Sequence, residues 1–357
     1  MADEREIDAV WSQCERFVSG MTPHDRDPRT TLRALAERAP EEPDRYGGGE
    51  LAERLEARVA ALLGKEAAVW MPSGTMAQQI ALRIHADRAG NRSVAFHPLC
   101  HLDVHEERGY ERLHGLHAVH LGHRDRLVRA DDLTQPVAAV LLELPQRDLG
   151  GALPSWDELV ATVEAAAARR AALHLDGARL WQCTPFYERP LDGIAALFDT
   201  VYVSFYKDLG APTGCALAGP QDVIDEARVW QVRHGGRLFS AYPYLLAAEW
   251  GLDEVLPRMP EIVAHARALG TALGEVEGIA VAPSPPQTAM FHLHARADAE
   301  MLNDRALELA RRTRTWPGGR WRPSNVPGHA VAELSIGLPS LEVPPAEAAS
   351  LYAELLG

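Results

Sequence analysis

The chain has 357 residues, with 36 Lys+Arg against 50 Asp+Glu and a formal net charge of −14 when histidine is neutral. That acidic balance argues against nucleic acid as a partner, because phosphate backbones are held by clustered basic side chains. With 46% apolar and 24% charged residues the chain can bury a sizeable core, and its length suits two domains or one large domain with an appendage.

The N-terminal MADEREIDAVW is acidic and has no basic segment leading into an apolar one, so no secretory leader is expected. From Glu50 to Leu63, ELAERLEARVAALL places Leu51, Leu55, Val59 and Leu62 or Leu63 on one helical face, with charges on the other. AAVWM reads as a short strand, and PSGTMAQQIALRI as a turn opening a second helix. Next come VAAVLLEL (137–144) as a buried strand, Trp156 to Arg170 as a helix, and AALHLDGA (171–178) and TVYVSFYK (200–207) as strands. This alternation predicts an α/β fold with a mostly parallel sheet and a ligand site beyond the carboxyl ends of its strands.

After Trp250 the pattern changes. Residues 251–275 read as helical, Pro283, Pro285 and Pro286 form a break before the strand-like TAMFHLHA, and 297–312 is helical again. The expected organisation is an N-terminal segment (1–45), a large domain (46–250) and a small α+β C-terminal domain (251–357). The alanine-rich stretch from Leu159 to Leu173 is interrupted by Glu164, Arg169 and Arg170, so no membrane span is expected. Cys14, Cys100, Cys183 and Cys215 contain no C-x-x-C pair, which fits reduced thiols in a cytoplasm.

Three segments carry the chemistry: PSGTMAQQ (72–79), HLDGAR (174–179) and SFYKDLGAPTG (204–214), each where a strand is predicted to end. Lys207 follows an apolar strand, where a low-dielectric pocket lowers an amine's pKa and makes it a Schiff-base nucleophile. By itself it reads more readily as an ordinary surface lysine. Asp176 ends another apolar strand and must face a cation or a wet cleft, since a buried unpaired charge is too costly. A protonated pyridine nitrogen is one such cation, and a lysine Schiff base with an acidic pyridinium partner marks pyridoxal phosphate sites. Ser73, Gly74 and Thr75, at a strand-to-helix turn, offer N–H groups and hydroxyls to a phosphate; alone, they read as a helix cap.

With YGGGELAERLE, MPSGTMAQQIALR, CHLDVHE, GGALPSWDEL, HLDGARLW and KDLGAPTGCALAG in this order, the chain from about Tyr46 to Trp250 resembles the threonine aldolase and β-eliminating lyase group of fold-type I pyridoxal-phosphate enzymes. The resemblance implies pyridoxal 5'-phosphate as cofactor, Lys207 as its covalent anchor, Asp176 against the pyridine nitrogen, and Gly74 and Thr75 at the phosphate. It implies Arg179 near the ring oxygen or substrate carboxylate, His101 stacked on the ring, and a homodimer or homotetramer with interface active sites. Tyr46 joins Arg179 as an expected substrate contact.

The chain also departs from the group's pattern. Tyr206 stands where serine usually precedes the lysine, which moves the phosphate contact to Ser204. Gln146, in ELPQRDLGG, stands where a T-H-N segment has histidine, and glutamine is no base at neutral pH; the retro-aldol proton then falls to His101 or a water. RHGGRLF displaces Arg237 by one position from the usual phosphate-binding arginine. HAVAELSIG lacks the carboxylate-binding arginine, leaving Arg320 or Arg322 to substitute, and FVSGMTPHD (17–25) offers only Ser19 in place of an R-S-D-T segment.

His97, His101 and His105 recur every four residues, a spacing that opens a zinc-hydrolase reading, although Pro98 breaks a continuous helix. Glu106 and Glu107 are expected to form a solvated helix start. The leading expectation is a pyridoxal-phosphate lyase cleaving, or forming, the Cα–Cβ bond of a β-hydroxy-α-amino acid, with glycine and an aldehyde as products. The alternatives are β-elimination or an aldol-type step on a specialised amino acid, the zinc hydrolase, and a non-catalytic cofactor-binding homologue.

Overall fold

The computed structural model describes residues 4–20, 27–39, 42 and 44–357. The chain forms two compact units, one of residues 35–148 and 153–257, the other of 1–34, 149–152 and 258–357. The described residues up to Ala34 cluster with residues 258–357.

The larger unit is built on a seven-stranded sheet: β1 (Ala67–Met71), β2 (Ser93–Phe96), β3 (His117–His120), β4 (Ala139–Glu143), β5 (Ala172–Gly177), β6 (Thr200–Ser204) and β7 (Cys215–Gly219). Their order is β1-β7-β6-β5-β4-β2-β3, and β7 alone runs antiparallel to its neighbours. The apolar runs that read as strands are buried on both faces, as parallel sheets flanked by helices require. Helix Gly74–Ala89 packs Ala77, Ile80, Ala81 and Ile84 against Val69, Met71, Tyr202 and Leu217. In register, Glu143 lies beside Asp176 and Asp176 beside Tyr202. This pairing brings the ends of β4, β5 and β6 together.

β1 is an edge strand, and its outward polar groups are covered by side chains. The Trp70 N–H donates to Glu56 Oε1 at 2.8 Å, Arg228 bonds Glu56 Oε2 at 2.5 Å and the Ala68 carbonyl at 3.2 Å, and Gln231 Nε2 bonds the Trp70 carbonyl at 2.8 Å. Such closure removes a template for strand addition. It also corrects the reading of helix Glu50–Leu62, because Glu56 lies on its buried side rather than on a purely solvated charged face. Glu56→Ala leaves the Trp70 amide unpaired and is expected to cost about 1–3 kcal/mol. A urea midpoint unchanged from wild type would contradict that expectation.

The smaller unit carries a four-stranded antiparallel sheet in the order Arg322–Pro323, Ala330–Ser335, Met290–Ala295, Ile279–Ala282. Its longer helices include Met259–Gly274, Ala299–Thr313 and Pro345–Leu356. Val10, Cys14 and Phe17 from the N-terminal segment bury against Leu307 and Ala310. Among the described residues no helix is long and apolar enough to cross a membrane.

Candidate active site

Asp176, the penultimate residue of β5, is 1% exposed and accepts hydrogen bonds from the Ala178 N–H at 3.0 Å and Gln78 Nε2 at 2.8 Å. Among the described residues it has no ion-pair partner within 4 Å. A buried carboxylate held by two neutral donors still favours a cation, and a pyridinium N–H supplies one.

Glu143, its neighbour in register, accepts from Gln146 Nε2 at 2.8 Å and the Arg147 N–H at 3.1 Å. Desolvation, then the adjacent Asp176 carboxylate, push its pKa up to about 8. The folded state therefore holds this proton more tightly than the unfolded chain does. That contribution to stability is complete below about pH 4.5 and is lost as pH rises through about 8. In the cofactor-free protein, the fall in melting temperature from about pH 5 to about pH 8 is expected to be smaller for Glu143→Gln than for wild type. Parallel curves would show that Glu143 is already ionised.

Lys207 lies just beyond β6, partly buried, and desolvation followed by the nearby Arg179 guanidinium lowers its pKa below the usual lysine value. Both effects raise the fraction of free amine available as nucleophile. The Arg179 side chain is 13% exposed; its nearest carboxylate is Asp208, with Nε 4.0 Å from Oδ1, and it makes no hydrogen bond to a described residue. A largely enclosed guanidinium with so little local pairing is suited to an incoming carboxylate or phenolate. Asp208 is held by Gln182 at 2.7 Å, and burial pushes its pKa up to about 6.

Ser73 is the N-cap of helix Gly74–Ala89, but its side chain makes no capping bond. A Cβ on Gly74 would sit 2.1 Å from the Tyr202 hydroxyl, so only glycine fits between the helix start and β6. The free first-turn N–H groups, the Ser73 hydroxyl and Thr75 form a cradle for an anion. Ser204 is fully enclosed, with its carbonyl held by Trp181 Nε1 at 2.8 Å.

His101 begins a single helical turn, His101–Val104, and its Nδ1 lies 2.8 Å from Glu106 Oε1. Glu106 also receives Gln79 Nε2 at 3.4 Å. Consecutive glutamines of one helix, Gln78 and Gln79, thus fix Asp176 and the His101–Glu106 pair together. The Glu106 side chain is 1% exposed, which corrects the expectation of a solvated helix start.

The three spaced histidines do not share a ligand set. His97 Nε2 is 2.9 Å from the carbonyls of His123 and Arg126, while its Nδ1 accepts from the Leu99 N–H at 3.0 Å. Both ring nitrogens are therefore committed to main chain, and among the described residues no group of three or more potential ligands is gathered.

Tyr46 and Arg237 come together at another cavity of about 230 Å³, which Gly47, Gly48, Trp70 and Arg228 also line. Arg237 Nε donates to the Tyr46 carbonyl at 2.5 Å, and Gly236 packs against the Met76 sulfur, one turn into the 74–89 helix. Arg320 and Arg322 are exposed and belong to the smaller unit, where they line a groove with Trp316 and Asp298. Ser19, also in that unit, spends its hydroxyl on the main chain of Ser335. Met21–Asp25 of the FVSGMTPHD segment lie outside the described residues.

The sequence reading missed Glu143, although it ends an apolar strand just as Asp176 does. It also missed Gln78 and Asp208, whose roles emerge only from tertiary placement.

A parallel-sheet fold whose strand ends gather a lysine of lowered pKa, a buried carboxylate and a helix-start anion cradle defines a pyridoxal-phosphate-dependent enzyme. Residues 27–296 match the family model described as Beta-eliminating lyase, and the chain belongs to that family of pyridoxal-phosphate lyases. It is 28% identical to low-specificity L-threonine aldolase 1 of Arabidopsis thaliana over 294 residues, covering 77% of this chain and 81% of the relative. A solved Listeria monocytogenes protein, provisionally named an L-allo-threonine aldolase, superposes with a TM-score of 0.92 at 37% identity, covering 99% of this chain and 98% of that one. Threonine aldolase of Leishmania major shares the fold, with a TM-score of 0.73 at 17% identity, covering 96% and 98%.

Proposed function

We propose that the protein cleaves the Cα–Cβ bond of a β-hydroxy-α-amino acid, releasing glycine and an aldehyde. The observation that carries this reading is the set Lys207, Asp176 and Arg179 at adjoining strand ends, in a chain 37% identical over nearly its whole length to a protein provisionally named for that reaction. Bound pyridoxal phosphate supplies electron withdrawal from Cα. Lys207 anchors it covalently, and Asp176 holds the pyridine N–H. Ser73, Gly74 and Thr75, with Ser204 at the end of β6, receive the phosphate.

Arg179 binds the substrate carboxylate or the ring oxygen and so orients Cα. His101, with Nδ1 tied to Glu106, presents a fixed ring face to the cofactor. Tyr46 and Arg237 complete the substrate and phosphate contacts in a homodimer or homotetramer. Exposed Tyr46 and Val232 at the cavity shared with Arg237, with exposed Phe239 edge-on against the Tyr46 ring, support such an assembly, since exposed apolar side chains gathered in one place mark an interface. Four unpaired, buried cysteines support a reducing, cytoplasmic setting.

The test is a panel of L- and D-β-hydroxy-α-amino acids, threo and erythro, assayed for glycine and aldehyde in equal amounts. Release of ammonia and a keto acid instead would favour β-elimination.

A further inference from the structure

Two histidines, each held by its own carboxylate, stand side by side at the site. The ring centroids of His101 and His105 are 5.0 Å apart. His101 is fixed by Glu106 on its own loop, whereas His105 Nε2 lies 3.1 Å from Asp148 Oδ2, on the loop that follows β4. That loop also carries Gln146, whose amide nitrogen is directed to Glu143 at 2.8 Å and to the Leu99 carbonyl at 3.4 Å. Position 146 thus offers an amide committed to structure and no base.

We propose that His105, oriented by Asp148, takes the proton from the substrate's β-hydroxyl. This assignment rests on the Cα–Cβ cleavage proposed above. A carboxylate at Nε2 accepts the N–H from that nitrogen, so the neutral ring keeps its lone pair on Nδ1, and the carboxylate then stabilises the imidazolium. Arg147 Nη1, 3.4 Å from the same Nε2, is the opposing charge at this ring. The His105 side chain remains about one-third exposed, so substrate can reach it, while His101 is left to face the cofactor.

In the step, the O–H proton passes to His105 Nδ1 and the O–H electron pair becomes the second bond of the aldehyde carbonyl. The Cα–Cβ bond breaks with its pair on Cα, which then takes up a proton to give glycine. The function absent from position 146 is thereby recovered two residues later, through a carboxylate that positions a histidine from a neighbouring loop.

Holoenzyme carrying His105→Phe or Asp148→Asn tests this with three readouts. These are cleavage of a β-hydroxy amino acid, exchange of the glycine α-proton for deuterium followed by NMR, and cofactor retention by absorbance. Exchange needs no β-hydroxyl proton transfer. His105→Phe is expected to slow cleavage by about 100-fold or more while exchange and cofactor retention stay near wild type. Asp148→Asn is expected to slow cleavage by a smaller factor, again without changing exchange. Cleavage at the wild-type rate in His105→Phe overturns the assignment, as does a parallel fall of cleavage and exchange in both variants. A wild-type enzyme that exchanges glycine protons but cleaves no β-hydroxy amino acid overturns the cleavage reading itself, and this assignment with it.

Discussion

Lys207→Ala is expected to abolish the visible absorbance of bound cofactor and to lower cleavage by about 10⁴-fold or more, because the proposed assignment makes Lys207 the covalent anchor of the cofactor. The chain contains only two lysines, Lys65 and Lys207. Lys65 cannot stand in, since its Nζ is bound to the Phe198 carbonyl at 2.5 Å. Lys207 is partly buried, so the shorter side chain is tolerated and the melting temperature of the cofactor-free protein should change little. A variant that keeps the absorbance would contradict the assignment.

Asp176→Asn is the second large effect. It preserves shape, but turns a carboxylate that accepts from Ala178 and Gln78 into a group presenting its own N–H donors. On the proposed assignment, the pyridine nitrogen then loses the charge that keeps it protonated. Loss of one such aimed electrostatic group costs about 10²–10³-fold in turnover. Cofactor stays attached, because Lys207 is untouched. The combination of retained absorbance and lost turnover separates this variant from Lys207→Ala, and unchanged turnover would exclude Asp176 from the pyridine nitrogen.

The parts of the fold most legible in sequence were those with strong local signals. The apolar runs ending at Glu143, Asp176 and Ser204 lie at the centre of the sheet, where burial on both faces demands continuous hydrophobicity. By contrast, Ser93–Phe96 and His117–His120 are four residues each, and the latter, at the sheet edge, has exposed histidines at both ends, so periodicity has little to act on. Cys215–Gly219 has small residues on either side of Leu217 and is held by pairing on both sides.

In the site, Lys207, Asp176 and the Ser73–Thr75 turn were visible because each interrupts an apolar segment with a chemically costly or permissive residue. Glu106 looked solvated in sequence because its burial comes from Gln79 and His101, both brought by tertiary folding. The pairing of His105 with Asp148 spans 43 positions and has no local signature.

The most direct measurement is borohydride reduction of the holoenzyme, followed by proteolysis and mass spectrometry of the labelled peptide. Reduction fixes the C=N bond between lysine and cofactor, and with two lysines in the chain the answer is binary. The expected result is a phosphopyridoxyl group on Lys207 alone. Label on Lys65, or on neither lysine, would contradict the site described here.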